Sequence, residues 1–467
     1  MVIDSKSRLL HHVLIQDAFK SVVIKISYNE LKNSEVYCLS FFFLLFILFG
    51  ISGKWNDISA YQLIIQLLFA LLSYFYIKNR GIINTNQFFI NTFLFQFSLA
   101  IILKLMFIFF EDCEFGPSAI DSIGYFDYGN KGSKMTIAGY TRMLSYTSWG
   151  GIDDRGYLFY LRWLHFLLPK GIVPFVVIFF NAVFIGIASM ALYKSLILLS
   201  PYNRRNAIAV TCIFSSFLPS VNTSAVGMKE DVFIPIIILA LYYYIRYIKN
   251  KQLHNFFLCV FFTFLTVFFR TAITASLIVV FIIGLVSSKN NKKFVVYSFY
   301  IALIVSPIII DFIITNFLGI SLEGVLEIAQ GRNKHTTGAD PGAKAIGSII
   351  ASIIGPFPTF VDSHDTMFYS FSSVVKMIFN FPVIYAIIRI LKKYDYKYYF
   401  VAFLYLIGIM FNVVVGTGLD MRYQMPFFGA FLILLFYQLN NIKIKPIIFL
   451  GYGAACVSIA FVYNMIK

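Results

Sequence analysis

Residues 88–110 read FFINTFLFQFSLAIILKLMFIFF, and acids follow at once: EDCEFG from Glu111, AIDSIGYFDYG from Ala119 and WGGIDDRGY from Trp149. The first run carries a single charge, Lys104, and is long enough as a helix to cross a bilayer. The second stretch holds Glu111, Asp112, Glu114, Asp121, Asp127, Asp153 and Asp154, seven of the 22 acids in the chain. An apolar span delivering the chain into a concentrated patch of carboxylates predicts a membrane protein with its chemistry gathered at one boundary.

Working outward, the composition agrees. Hydrophobic residues make up 59% of the chain and charged ones 13%, with a mean hydropathy of +0.79. A soluble domain of 467 residues needs charge on every side, and this chain has enough for two faces only. The 54 Phe and 30 Tyr suit lipid-facing helices and interfacial belts. Apolar runs place spans at about 36–52, 60–77, 88–110, 172–199, 207–221, 232–248, 255–269, 271–286, 294–318, 368–391, 398–415, 424–439 and 447–464. Residues 157–169 read as an interfacial helix, and 346–361 as a partial or re-entrant one. The expected fold is all-α, a polytopic integral membrane protein of about 13 transmembrane helices with two long extracytoplasmic loops.

Charge orients this map. With the N-terminus inside, the inner segments hold most of the 38 Lys and Arg and only five acids, Asp4, Asp17, Glu30, Glu35 and Asp395. That satisfies the positive-inside rule and puts the acidic stretch outside the cytoplasm. Residues 1–35 become a basic cytoplasmic leader with no cleavable signal, and 36–467 a single multi-span domain with outer loops 111–171 and 319–367. The net charge of +16, sorted in this way, points to a bilayer and away from nucleic acid. A membrane, with the N-terminus on its cytoplasmic side, is the expected location.

Five polar features meet on the outer side. The acidic loop contributes Asp112, Asp121, Asp153, Asp154 and the neighbouring Arg155. The stretch SVNTSAVGMKED ends in Lys229, Glu230 and Asp231 at a helix start. The two acids there suit the helix dipole as caps, whereas Lys229 opposes it and asks for an anionic ligand. Arg270 lies between two short apolar runs; it either snorkels to the headgroups or binds a phosphate. At the bilayer centre it would cost ~2.5–3.5 kcal/mol. The second outer loop carries Arg332, Lys334, His335 and Asp340. Finally, Asp420 and Arg422 either pair with each other or serve the site.

Other chemistries lack their residues. The six histidines are scattered and the five cysteines have no metal-ligand spacing. There is no P-loop, no GxGxxG opening a nucleotide-binding unit and no GxSxG. No cofactor is expected, with a divalent metal at the acidic loop as the open alternative. Carboxylates beside cations fit transfer of a sugar from a polyprenyl-phosphate carrier: a carboxylate takes the acceptor proton, and Arg and Lys hold the departing phosphate. The glycosyl–phosphate bond is already activated. A flippase for the same lipid-linked oligosaccharide is the alternative, and acyl transfer or a scaffold comes third.

Several of these residues also form a pattern. Asp-x-x-x-Tyr at Asp121 and Tyr125, then Gly156, Tyr157 and Tyr160, then Pro219, Lys229 and Glu230, resemble the lipid-dependent glycosyltransferases of the GT-C superfamily. The Phe-rich spans are similar to those of bacterial O-antigen and capsule repeat-unit polymerases. The resemblance implies a GT-C-like fold, an undecaprenyl-(di)phosphate-linked glycan as partner, work alongside other polysaccharide-assembly membrane proteins, and a catalytic acid in the first loop. Asp121 best matches that acid, with Asp112 as its rival.

Overall fold

The structure is a computed structural model, and it describes residues 58–79, 84–110, 112–116, 120–147, 152–287, 349–355, 374–414 and 421–466. Among them there are helices and no strands. In chain order they are α1 (Ile58–Asn79), α2 (Asn86–Phe110), α3 (Ile120–Ser133), α4 (Ile137–Ser145), α5 (Ile152–Leu167), α6 (Val173–Leu199), α7 (Arg204–Ser215) and α8 (Leu218–Val226). Then come α9 (Glu230–Asn250), α10 (Leu253–Leu265), α11 (Thr271–Ser287), α12 (Val374–Lys393), α13 (Tyr399–Val414), α14 (Met421–Gln424), α15 (Phe428–Asn441) and α16 (Pro446–Ile466). The chain divides into two compact units, one running from Asn56 to Lys443 and another containing Ile444–Val462. In the second unit α16 is an apolar helix starting at Pro446, a residue suited to a first turn because its missing N–H would be unpaired there anyway. All described site residues belong to the first.

Six described helices are long and apolar enough to cross a membrane: Asn86–Phe109, Val173–Leu199, Arg204–Val226, Glu230–Asn250, Val374–Lys393 and Tyr396–Val413. The protein is thus an α-helical membrane protein. The expected spans at 36–52 and 294–318 and the loop 319–345 lie outside the described residues. Helices α10 and α11 are shorter, 13 and 17 residues.

The centre is α6, apolar on all sides, lying between α2 and α9. Its small residues Ala182, Gly186 and Ser189 let neighbouring helices approach, as small side chains do inside membranes. A Cβ on Gly186 would stand 2.8 Å from the Phe89 ring. Large apolar side chains point outward along α1, α2 and α10, among them Leu68, Leu72, Leu94, Phe109, Phe257 and Phe261. Such stripes in water would aggregate; in lipid they are the solvated face.

The span expected at 207–221 is a broken helix. It stops at Ser215 and restarts at Leu218, where Pro219 sits in the first turn. The carbonyls freed by the break are met by Gln96 of α2, whose Nε2 donates to Ser215 O at 3.3 Å and Phe217 O at 3.1 Å. Thr92 Oγ1 donates to Ser215 Oγ at 2.7 Å, and Ser189 Oγ lies 3.0 Å from the same hydroxyl. Interrupted backbone survives at membrane depth only with such partners.

Between 111 and 171 the described residues are mainly helical. α3 packs on α5, and Gly129 and Gly132 of α3 leave room for Leu161 and Tyr140. The interfacial helix expected at 157–169 is α5, which begins earlier and so carries Asp153, Asp154 and Arg155 on its first turn.

Candidate functional site

Four helix ends and one turn meet. They are the start of α3, the first turn of α5, the α8–α9 junction, the turn at Arg270, and the four-residue α14. The α8–α9 junction is set by Gly227, which ends α8 at φ +82°, a left-handed conformation that glycine adopts without strain. Tyr157 Oη of α5 donates to the Gly227 carbonyl at 2.8 Å and so pins the junction to α5. Gly156 lets α5 press against the segment before Arg270: a Cβ there would lie 2.9 Å from Phe268 Cβ and from its carbonyl oxygen.

Lys229 is the hinge of the arrangement. Its ammonium donates to Asp153 O at 3.1 Å, to Phe269 O at 3.1 Å, and to Asp154 Oδ1 in an ion pair. An ammonium has three donors, so all are used. Burial, and secondarily the nearby Arg270, lower its pKa; Asp154 and Glu230 act against that shift. Asp154 also receives Tyr125 Oη at 2.7 Å, on the same oxygen. Burial, then the charges of Asp154 and Glu230, push the Tyr125 phenol well above its ordinary range, so it stays a donor. Asp153 Oδ1 accepts the backbone N–H of Thr271 at 2.7 Å and so caps α11.

Arg270 faces Glu230 and Tyr423. Its side chain is 22% exposed, lies over the Tyr423 ring at 4.8 Å and stands 3.7 Å from Glu230 Oε1. Burial opposes its charge, and Glu230, Tyr423, Asp154 and Tyr125 more than compensate, raising its pKa. Next to Tyr423, Arg422 pairs with Asp121 Oδ2 at 3.3 Å across 301 residues of sequence. Asp121 is half-exposed, which leaves it open to a substrate. Asp420, the expected partner, lies outside the described residues, as do Arg332 and the rest of its loop.

Asp121, Tyr125, Asp153, Asp154, Lys229, Arg270 and Arg422 are therefore joined in one network, and Arg155 shares the first turn of α5. Asp112 is not joined to it. It is exposed at φ +48° in the turn after α2 and makes no hydrogen bond or ion pair among the described residues. No group of three His, Cys, Asp or Glu among the described residues could hold a metal. Reading the sequence missed two members. Glu230 entered the family pattern beside Lys229 but was read as a cap and not as a site residue, and Tyr423 had no signal beyond its position after Arg422. Compared with protein-family models, curated proteins and solved structures, the chain matches none of them.

Proposed function

We propose that the chain is a membrane glycosyltransferase or glycan polymerase that moves a sugar or repeat unit from a polyprenyl-(di)phosphate carrier, outside the cytoplasm of a bacterium, in surface polysaccharide synthesis. One observation carries this reading. Consecutive residues of α14 tie an accessible carboxylate to a cation: Arg422 holds Asp121, and Tyr423 lies under Arg270. Asp121 takes the proton of the acceptor hydroxyl, whose oxygen attacks the anomeric carbon. The bond from that carbon to the phosphate oxygen breaks, and the phosphate leaves on the carrier, its charge met by Arg270. Lys229 has no donor to spare and holds Asp154 and the α5 turn in place.

A second reading has an observation of its own. The break between α7 and α8, with Thr92, Gln96 and Ser189 around it, is the kind of discontinuity found in transporters. Lipid-linked glycan analysis of a deletion strain separates the two. Single repeat units on the surface indicate a polymerase and truncated units a transferase; intact units trapped inside indicate a flippase and sink the leading reading. In the complemented strain Asp121→Asn should lower transfer by ~10²–10⁴-fold at an unchanged protein level. Near-normal product from Asp121→Asn and none from Asp112→Asn would move the base to Asp112.

A further inference from the structure

Arg270 and Glu230 face each other without a hydrogen bond between them. The closest approach, from a guanidinium nitrogen to Glu230 Oε1, is 3.7 Å, beyond hydrogen-bond reach. The Glu230 side chain is 3% exposed, and its Oε2 has no hydrogen-bond partner among the described residues. Arg270 has five N–H donors and gives none of them to a hydrogen bond among the described residues. The acids on either side differ. Asp231 accepts Ser220 Oγ at 2.6 Å and Thr223 Oγ1 at 2.8 Å, and Asp154 is met by Lys229 and Tyr125. A buried carboxylate oxygen left bare carries its full desolvation cost until something donates to it.

What completes this pair must accept from a guanidinium and donate to a carboxylate. A bare phosphate accepts only, and Glu230 repels its charge. An apolar group does neither. A hydroxyl does both, and its single O–H suits one orphan oxygen. Resting on the glycosyl-transfer reading, we propose that Glu230 and Arg270 together recognise a hydroxyl of the transferred sugar beside the carrier phosphate. Glu230 Oε2 accepts the hydroxyl proton. Arg270 donates to the hydroxyl oxygen and, with its remaining N–H groups, to the phosphate. Glu230 is then a specificity residue that reads the sugar, and Arg270 links sugar to phosphate.

The test uses the full chain in lipid nanodiscs and two probes, farnesyl phosphate and farnesyl phosphoglucose, with affinities measured by calorimetry. The intact protein should prefer the glycosylated lipid by about 10-fold or more, the worth of a hydrogen bond to a charged acceptor. Glu230→Gln should erase that preference while holding or improving affinity for farnesyl phosphate, since a negative charge beside the phosphate is removed. Glu230→Asp, which keeps an acceptor on a shorter arm, should retain part of the preference. If Glu230→Gln keeps the preference, or loses both lipids alike while Glu230→Asp does the same, Glu230 is a structural or water-bound residue and the proposal fails. Binding of farnesyl phosphate with no preference for the glycosylated form in the intact protein overturns the sugar reading and leaves the phosphate one standing. Binding of neither probe overturns both.

Discussion

At the residue scale, Arg270 and Lys229 separate two uses of positive charge. Arg270 presents a planar fork over Tyr423 with its donors unspent among the described residues, whereas Lys229 is a point charge fully committed to Asp154 and two carbonyls. Arg270→Lys should keep the charge and the fold, lose the fork and the ring stacking, and cut transfer by roughly 10-fold or more, with Arg270→Ala lower still. The measurement is surface-glycan chain length per unit of membrane protein, and full activity in both variants would dismiss the phosphate role. Lys229→Met should act instead on folding. It strands Asp154 and the Asp153 and Phe269 carbonyls, at a cost of roughly 2–4 kcal/mol read from denaturant unfolding in detergent. If Lys229→Met were as stable as the parent but inactive, Lys229 would be a ligand-binding cation after all.

At the scale of elements, the site depends on how closely α5 approaches its neighbours. A Cβ added at Gly156 would lie 2.9 Å from both Phe268 Cβ and the Phe268 carbonyl oxygen, and a backbone carbonyl cannot turn aside. Gly156→Ala should push α5 from the Arg270 turn, separate Asp153 from Thr271, and lower stability by ~1–3 kcal/mol together with activity. Thermal unfolding and transfer assays check both, and an unaffected variant would mean that the turn yields freely. The α3–α5 contact contains His165, buried against Phe126 with neither ring nitrogen hydrogen-bonded among the described residues. Burial, and then Lys170, lower its pKa below the ordinary 6.5. The unfolded chain therefore takes up this proton first as the pH falls, so stability rises with pH. The contact should be intact above about pH 6.5 and weaken below it. His165→Leu should flatten that acid limb of the melting curve; an unchanged limb would place the titration elsewhere.

For the whole molecule, the question is which side of the membrane holds the site. From the charge distribution of the sequence we predict Lys134 and Lys334 outside the cytoplasm and Arg205, Lys292 and Lys443 within it. Single cysteines at those positions, in a background without the native ones, should react with an impermeant maleimide in intact cells at 134 and 334 only. Protection of position 134 would turn the network of Asp121, Asp154, Lys229 and Arg270 toward the cytoplasm, where a lipid-linked donor is assembled rather than consumed. That single result would remove the proposed function.

By itself the sequence determined the membrane character and most helix positions, because both follow from local runs of apolar residues about one bilayer long. The runs read at 88–110, 172–199 and 232–248 became α2, α6 and α9 within two residues at each end. Its charges also singled out Arg270 between two apolar runs, Lys229 at a helix start and Arg422 in an outer turn, while Asp121 stood out through the resemblance to the GT-C enzymes. Only the tertiary structure decided which partners those charges meet. α3 runs through FDYGNKGS, which has poor helix propensity and reads as a loop until Gly129 and Gly132 are seen to admit Leu161 and Tyr140. The break at Ser216 depends on Gln96 waiting across α2. Arg422 found Asp121 from 301 residues away, and Glu230 was left with a bare oxygen facing Arg270. Propensity and hydropathy act over neighbouring residues, whereas partners are chosen by the packing of distant helices, which no local pattern encodes.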